Sequence, residues 1–129
     1  MPPLSPFALL LVALGGAIGS VARYAAGVVF APTAGGFPTA TVLVNVVGSF
    51  LIGCFARIFP LTAPDPVFRL LLITGFCGGF TTFSTFSAET LAMVQQGRAL
   101  RALLYIGLSL GLGLGATALG LMVARSSDG

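Results

Sequence analysis

The chain has 129 residues, 57 % hydrophobic and 7 % charged, with six arginines against three acids for a net charge of +3. A soluble domain carries about a quarter charged residues, so this composition excludes a water-soluble fold, and its apolar content excludes disorder. The absence of His removes Ser-His and Cys-His catalytic pairs and imidazole metal centres, and the scattered arginines make no basic patch for nucleic acid.

Charge-free windows at 1–22, 24–56, 70–88 and 102–124, of 22, 33, 19 and 23 residues, set the organisation. A hydrocarbon core of ~30 Å takes roughly 20 helical residues. The windows therefore predict an all-α membrane protein, one domain over 1–129 with four spans. Span one covers 7–30. No Lys or Arg precedes its apolar run and three spans follow, so it reads as a retained helix, not a cleaved signal peptide. Pro32, Gly35, Gly36 and Pro38 make the turn after it. Span two covers 39–59. It ends at Pro60, and Pro64, Asp65 and Pro66 fill the next loop. Span three covers 67–96 and turns at Gly97 and Arg98; span four covers 99–124, before a short polar tail. Loops this short predict that consecutive helices are antiparallel neighbours. Cys54 and Cys77, inside apolar runs, read as small buried hydrophobes.

Glycines recur at four-residue spacing: Gly15 and Gly19, Gly75 and Gly79, then Gly107, Gly111 and Gly115. In lipid, such rows let helix backbones approach closely. Four short helices enclose little volume, so a permeation path calls for a second subunit. Orientation is normally set by a Lys/Arg excess on the cytoplasmic side. Here Arg57, Arg69 and Arg125 fall on one side and Arg23, Arg98 and Arg101 on the other. That tie permits insertion both ways, and with it an antiparallel dual-topology dimer.

Span three holds the chemistry, in Gly75-Phe76-Cys77-Gly78-Gly79-Phe80-Thr81-Thr82-Phe83-Ser84-Thr85-Phe86-Ser87. Three glycines followed by a hydroxyl-rich, β-branched run weaken a continuous helix. A break near 78–81 is expected, and broken helices expose carbonyls to cations and N–H groups to anions. The alternative is a glycine-packed helix whose hydroxyls bond their own preceding turn. Phe83 and Phe86 share a helical face, and the positive edges of their rings can meet an anion without trapping it. Thr81, Thr82, Ser84, Thr85 and Ser87 add hydroxyl donors. Span two carries Asn45, the only Asn, as an anion donor or as interhelical glue. On span four, Tyr105 and Ser109 lie four apart on one face and extend the hydroxyl line, or serve as anchor and packing.

Three segments then carry a resemblance. Gly15-Gly16-Ala17-Ile18-Gly19-Ser20-Val21-Ala22-Arg23-Tyr24, Val44-Asn45-Val46-Val47-Gly48-Ser49-Phe50, and Gly75 through Glu89 resemble the Fluc (CrcB-type) fluoride channels over nearly the whole chain. The resemblance implies a dual-topology homodimer in the cell inner membrane whose two antiparallel pores export fluoride passively. It implies that Phe83, Phe86 and Asn45 line the pore, with Thr82, Ser84 and Thr85 beside them and Tyr105 and Ser109 on a polar track. It implies that the carbonyls of Gly78 and Thr81 hold a structural Na⁺ at the dimer centre. Arg23 resembles a vestibule arginine, and Glu89 the acid that ends the third motif. Ala40-Thr41-Val42 stands where the family often has Gly-Thr-Leu, and Gly113 where some relatives have a hydroxyl. The rival reading is a small dual-topology proton-coupled exporter, which needs a titratable acid in the bundle and has only Glu89 for it.

Overall fold

The computed structural model describes residues 3–31 and 36–127, with the backbone alone at 125–127. Pro32 and Gly35 of the first turn, the Arg125 side chain and the tail beyond Ser127 lie outside the described residues. The regular elements described are all helical: α1 (Pro6–Val29), α2 (Thr39–Ile58), α3 (69–80, joining Arg69–Cys77 and Gly78–Phe80), α4 (Phe83–Gln95) and α5 (Ala99–Ser127). Taken as one span, α3 and α4 run Arg69–Gln95; with α1, α2 and Ala99–Ala124 they are four helices long and apolar enough to cross a bilayer.

Local chemistry sets the ends. Pro6 opens α1, and the Ser5 hydroxyl accepts from the Ala8 N–H at 3.1 Å. Between α4 and α5, Gly97 takes φ +78°, which a side chain would strain. Its N–H bonds the Val94 carbonyl while the Arg98 N–H bonds the Met93 carbonyl, so two terminal carbonyls of α4 are satisfied. At the other end of the bundle, Arg69 Nη1 donates to the Phe59 carbonyl at 2.8 Å and closes the end of α2.

Neighbour relations differ from those that short loops predict. α1 lies along α3 and α2 along α5, while α1 and α2 scarcely meet. Glycine complementarity decides the pairing. A methyl at Gly15 would strike the Leu71 carbonyl, and one at Gly19 the Phe76 carbonyl; from the other side, Gly75 and Gly79 face Gly15 and Gly16. The α2–α5 seam uses Gly53 against the Thr117 carbonyl and Gly120 against the Phe50 carbonyl. Gly107, Gly111 and Gly115 do not take part: a methyl at any of them would meet nothing within 4 Å among the described residues. They face outward, because α5 turns Gly113 and Gly120 towards α2 instead.

The 69–77 stretch winds as a π-helix, one bond of which runs from the Gly78 N–H to the Ile73 carbonyl. Large apolar side chains such as Leu10, Val21, Leu100 and Leu114 point outward, whereas Gly15, Gly48, Cys77 and Tyr105 are buried. This inversion of the soluble pattern suits a lipid surround, where small residues make the interior. The chain is a multi-pass membrane protein.

Candidate functional site

The third span breaks at Thr81–Thr82. Thr81 (φ −87°, ψ 156°) and Thr82 (φ −148°, ψ 113°) are extended. The break thus falls at the end of the expected 78–81 window, and Gly78 itself is helical (φ −62°, ψ −37°). The cause is a partner on α2, not glycine freedom. Asn45 Oδ1 accepts from the Thr82 N–H at 2.8 Å, and Asn45 Nδ2 donates to the Thr82 carbonyl at 3.1 Å. One amide thus supplies both bonds that an extended residue would find in a neighbouring strand.

The four carbonyls at 78–81 lose their helical donors in consequence. In an unbroken helix the Thr82 N–H would bond the Gly78 carbonyl and the Thr85 N–H the Thr81 carbonyl. Here the first goes to Asn45, and the second goes to the Thr82 hydroxyl at 3.2 Å, which caps α4. The Gly79 carbonyl between them accepts from Arg23 Nε at 3.0 Å, so the negative end of α3 meets a guanidinium. The donor set left at Gly78, Phe80 and Thr81 is neutral carbonyl oxygen, and carbonyls of this kind suit a hard monovalent cation.

Around the break lie two cavities. One, of about 270 Å³, is lined by Asn45, Ser49, Thr82, Phe83, Phe86 and Ser109 among others, with no ionised side chain. Phe83 and Phe86 stand 5.8 Å apart between ring centroids at 47°, and Phe83 is 78 % exposed. The Ser109 hydroxyl is buried without a hydrogen-bond partner among the described residues. The second cavity, of about 330 Å³, has Arg23, Thr41, Thr82 and Thr85 in its wall. Thr82 lies in both walls. Ser84 is exposed, with its Oγ 3.3 Å from the Thr82 Oγ1, and lines neither cavity.

Tyr105 and Glu89 form a separate cluster. Glu89 Oε1 accepts from the Thr41 hydroxyl at 2.7 Å and from the Tyr105 hydroxyl at 2.9 Å, joining α4 to α2 and α5. The fully buried Tyr105 ring packs against Phe86 (5.0 Å, 55°) and edge-on to Phe37 (5.3 Å, 86°). Of the two hydroxyls expected on one α5 line, Ser109 faces the first cavity and Tyr105 is committed to Glu89.

Thr41 and Ser49 were given no role by the sequence motifs. Both were readable: Thr41, Asn45 and Ser49 recur every four residues along an otherwise apolar helix.

The sequence pattern of the family described as "CrcB-like protein, Camphor Resistance (CrcB)" matches residues 10–121. A protein of Rhizobium johnstonii named fluoride-specific ion channel FluC is 48 % identical over 119 residues, covering 91 % of this chain and 95 % of the relative. One of Chlorobaculum tepidum with the same name is 48 % identical over 118 residues, covering 91 % and 94 %. Another, of Nitrobacter winogradskyi, is 44 % identical over 119 residues, with the same coverage. Matched over most of its length by the family pattern and by these full-length relatives, the chain belongs to the CrcB-like family.

Proposed function

We propose that this chain forms a fluoride-selective channel that lets fluoride leave the cytoplasm passively across the inner membrane. The observation that carries the reading is the lining of the first cavity: Asn45, Thr82 and Ser109 with the Phe83–Phe86 pair, and no ionised side chain. Fluoride must exchange a strong hydration shell for protein donors and still be released. Amide and hydroxyl donors with aromatic edges offer graded attraction, where a buried cation would hold the ion. Ser84 and Thr85, beside Thr82 at the start of α4, add hydroxyls around that helix N-terminus, which itself favours an anion. Arg23, in the wall of the second cavity, gathers the anion at the mouth.

The working unit is an antiparallel homodimer, so that exposed Phe83 and the open side of the cavity are completed by a second copy. The even arginine split supports insertion in both orientations. Na⁺ held by the Gly78 and Thr81 carbonyls of both copies neutralises the exposed carbonyl ends and ties the subunits at the centre. The diverted N–H groups of Thr82 and Thr85 support that assignment.

Purified protein in liposomes tests the reading. Fluoride is expected to be released quickly and chloride not, with the fluoride rate unchanged when a proton gradient is imposed. No release, or release that follows the proton gradient and stops in Glu89→Gln, overturns it in favour of an inert scaffold or a proton-coupled exporter.

A further inference from the structure

The first cavity contains a polar side chain that the reading above leaves unused. α2 and α5 run side by side in the same direction: Ser49 faces Gly113, and Gly53 faces Thr117 four residues further on each helix. Asn45 and Ser49 are one turn apart on α2, as Ser109 and Gly113 are on α5. Asn45 and Ser109 line the cavity, and so does Ser49. At the next level α5 offers only glycine. A Cβ built at Gly113 would lie 3.7 Å from the Ser49 hydroxyl, so Ser49 occupies the level that α5 leaves without a donor.

We propose that Ser49 is an ion-contacting residue of the permeation path, its hydroxyl donating to fluoride one turn beyond Asn45 at the Gly113 level. The inference rests on the channel reading above. The same wall holds Ile52, Leu110 and Cys77, and its Thr81 hydroxyl already donates to the Cys77 carbonyl, so Ser49 is the donor open to a fluoride ion leaving the Asn45–Ser109 level. An anion stranded beside apolar groups is strongly disfavoured. A rotatable hydroxyl suits this role, because it turns its hydrogen to the ion as it arrives and turns away as it leaves. Thr41 closes the same α2 stripe at its other end, but its hydroxyl is already held by Glu89.

The test compares fluoride efflux from liposomes for unmutated protein, Ser49→Ala, Ser49→Ala/Gly113→Ser and Phe83→Ile. Alanine at 49 removes the hydroxyl with little change in bulk. Serine at 113 returns one from the facing helix, into space where a Cβ makes ordinary contact. Ser49→Ala is expected to slow fluoride roughly tenfold, the scale of one hydrogen bond to a charged group. The double variant is expected to recover to within about twofold, because the same donor is restored at the same level. Size-exclusion profiles should match throughout. Unmutated flux in Ser49→Ala, or a slow double variant of intact size, overturns the proposal while a slow Phe83→Ile leaves the channel reading standing. If Phe83→Ile also conducts like the unmutated protein, the assigned path itself is wrong and the role of Ser49 falls with it.

Discussion

Asn45 grips Thr82 by its N–H and its carbonyl together, so one side chain holds the break, and in the proposed channel the same side chain faces the ion. Asn45→Asp removes the Nδ2 donor and turns an anionic oxygen towards the Thr82 carbonyl. It also puts a negative charge beside the proposed anion path; at ~4 Å and an effective dielectric of about 20 the repulsion is roughly 4 kcal/mol. We expect fluoride efflux to fall about a hundredfold or more and thermal stability to drop, the lost donor alone costing ~1–3 kcal/mol. Efflux and melting measurements on the same preparation check both. The two phenylalanines should separate these effects. Phe→Ile keeps an apolar side chain but removes the ring quadrupole, so both variants should slow fluoride roughly tenfold. Phe86 also packs against Tyr105 at 5.0 Å with the rings tilted, whereas Phe83 is largely exposed. Phe86→Ile should therefore lose a further ~0.5–1.5 kcal/mol of stability that Phe83→Ile keeps. Asn45 was legible in the sequence as a lone amide among apolar residues, but its partner was not. Which backbone group it meets depends on how α2 and the third span sit together. Ser49 and Thr41 were harder to see, because Ser and Thr blend into membrane helices by bonding their own carbonyls.

At the level of elements, four-residue glycine rows foretold close packing without saying which row meets which. Gly15 and Gly19 do face the Gly75–Gly79 row, whereas a methyl at Gly107, Gly111 or Gly115 would meet nothing within 4 Å among the described residues. The two kinds of row look alike in sequence and differ only in which side of the helix turns inward. That difference gives a paired expectation. Gly15→Ala drives a methyl into the Leu71 carbonyl, a backbone atom that cannot turn aside. It should cost ~3 kcal/mol or more and leave little intact protein on size-exclusion. Gly107→Ala, whose methyl meets open space, should elute and conduct like the unmutated chain. The break obeys the same logic. Sequence locates it to within a few residues through helix propensity, yet its position at Thr81–Thr82 is set by Asn45 from across the bundle.

For the whole molecule, the even arginine split predicts two populations. A C-terminal tag on the protein in sealed cells should be reachable from both sides of the membrane. Labelling from one side alone would rule out dual insertion. Adding two or three Lys to the 60–66 loop should force a single orientation and abolish efflux, because no oppositely inserted partner remains. Prolonged removal of Na⁺, with a large organic cation in its place, should slow fluoride release and loosen the dimer, and readdition should restore both. Rates indifferent to Na⁺ would separate the Gly78 and Thr81 carbonyls from any cation role.

The bond between Asn45 and Thr82 also bears on how the chain is made. Over its most apolar 18 residues the third span reaches a mean hydropathy of 1.3, against 1.7 for the first and 1.9 for the second and fourth. It carries peptide groups at 81–82 that its own helix does not satisfy, and each such group left bare in lipid costs several kcal/mol. Released into the bilayer alone, that span would be poorly held. Synthesis delivers α2 first, so the amide that completes the break is already in place when the span emerges. The order of the spans in the sequence thus suits insertion of the broken span. A permuted chain that makes α2 last would expose the broken span to lipid before its partner exists, and should stall or be degraded during insertion even though its finished fold is unchanged.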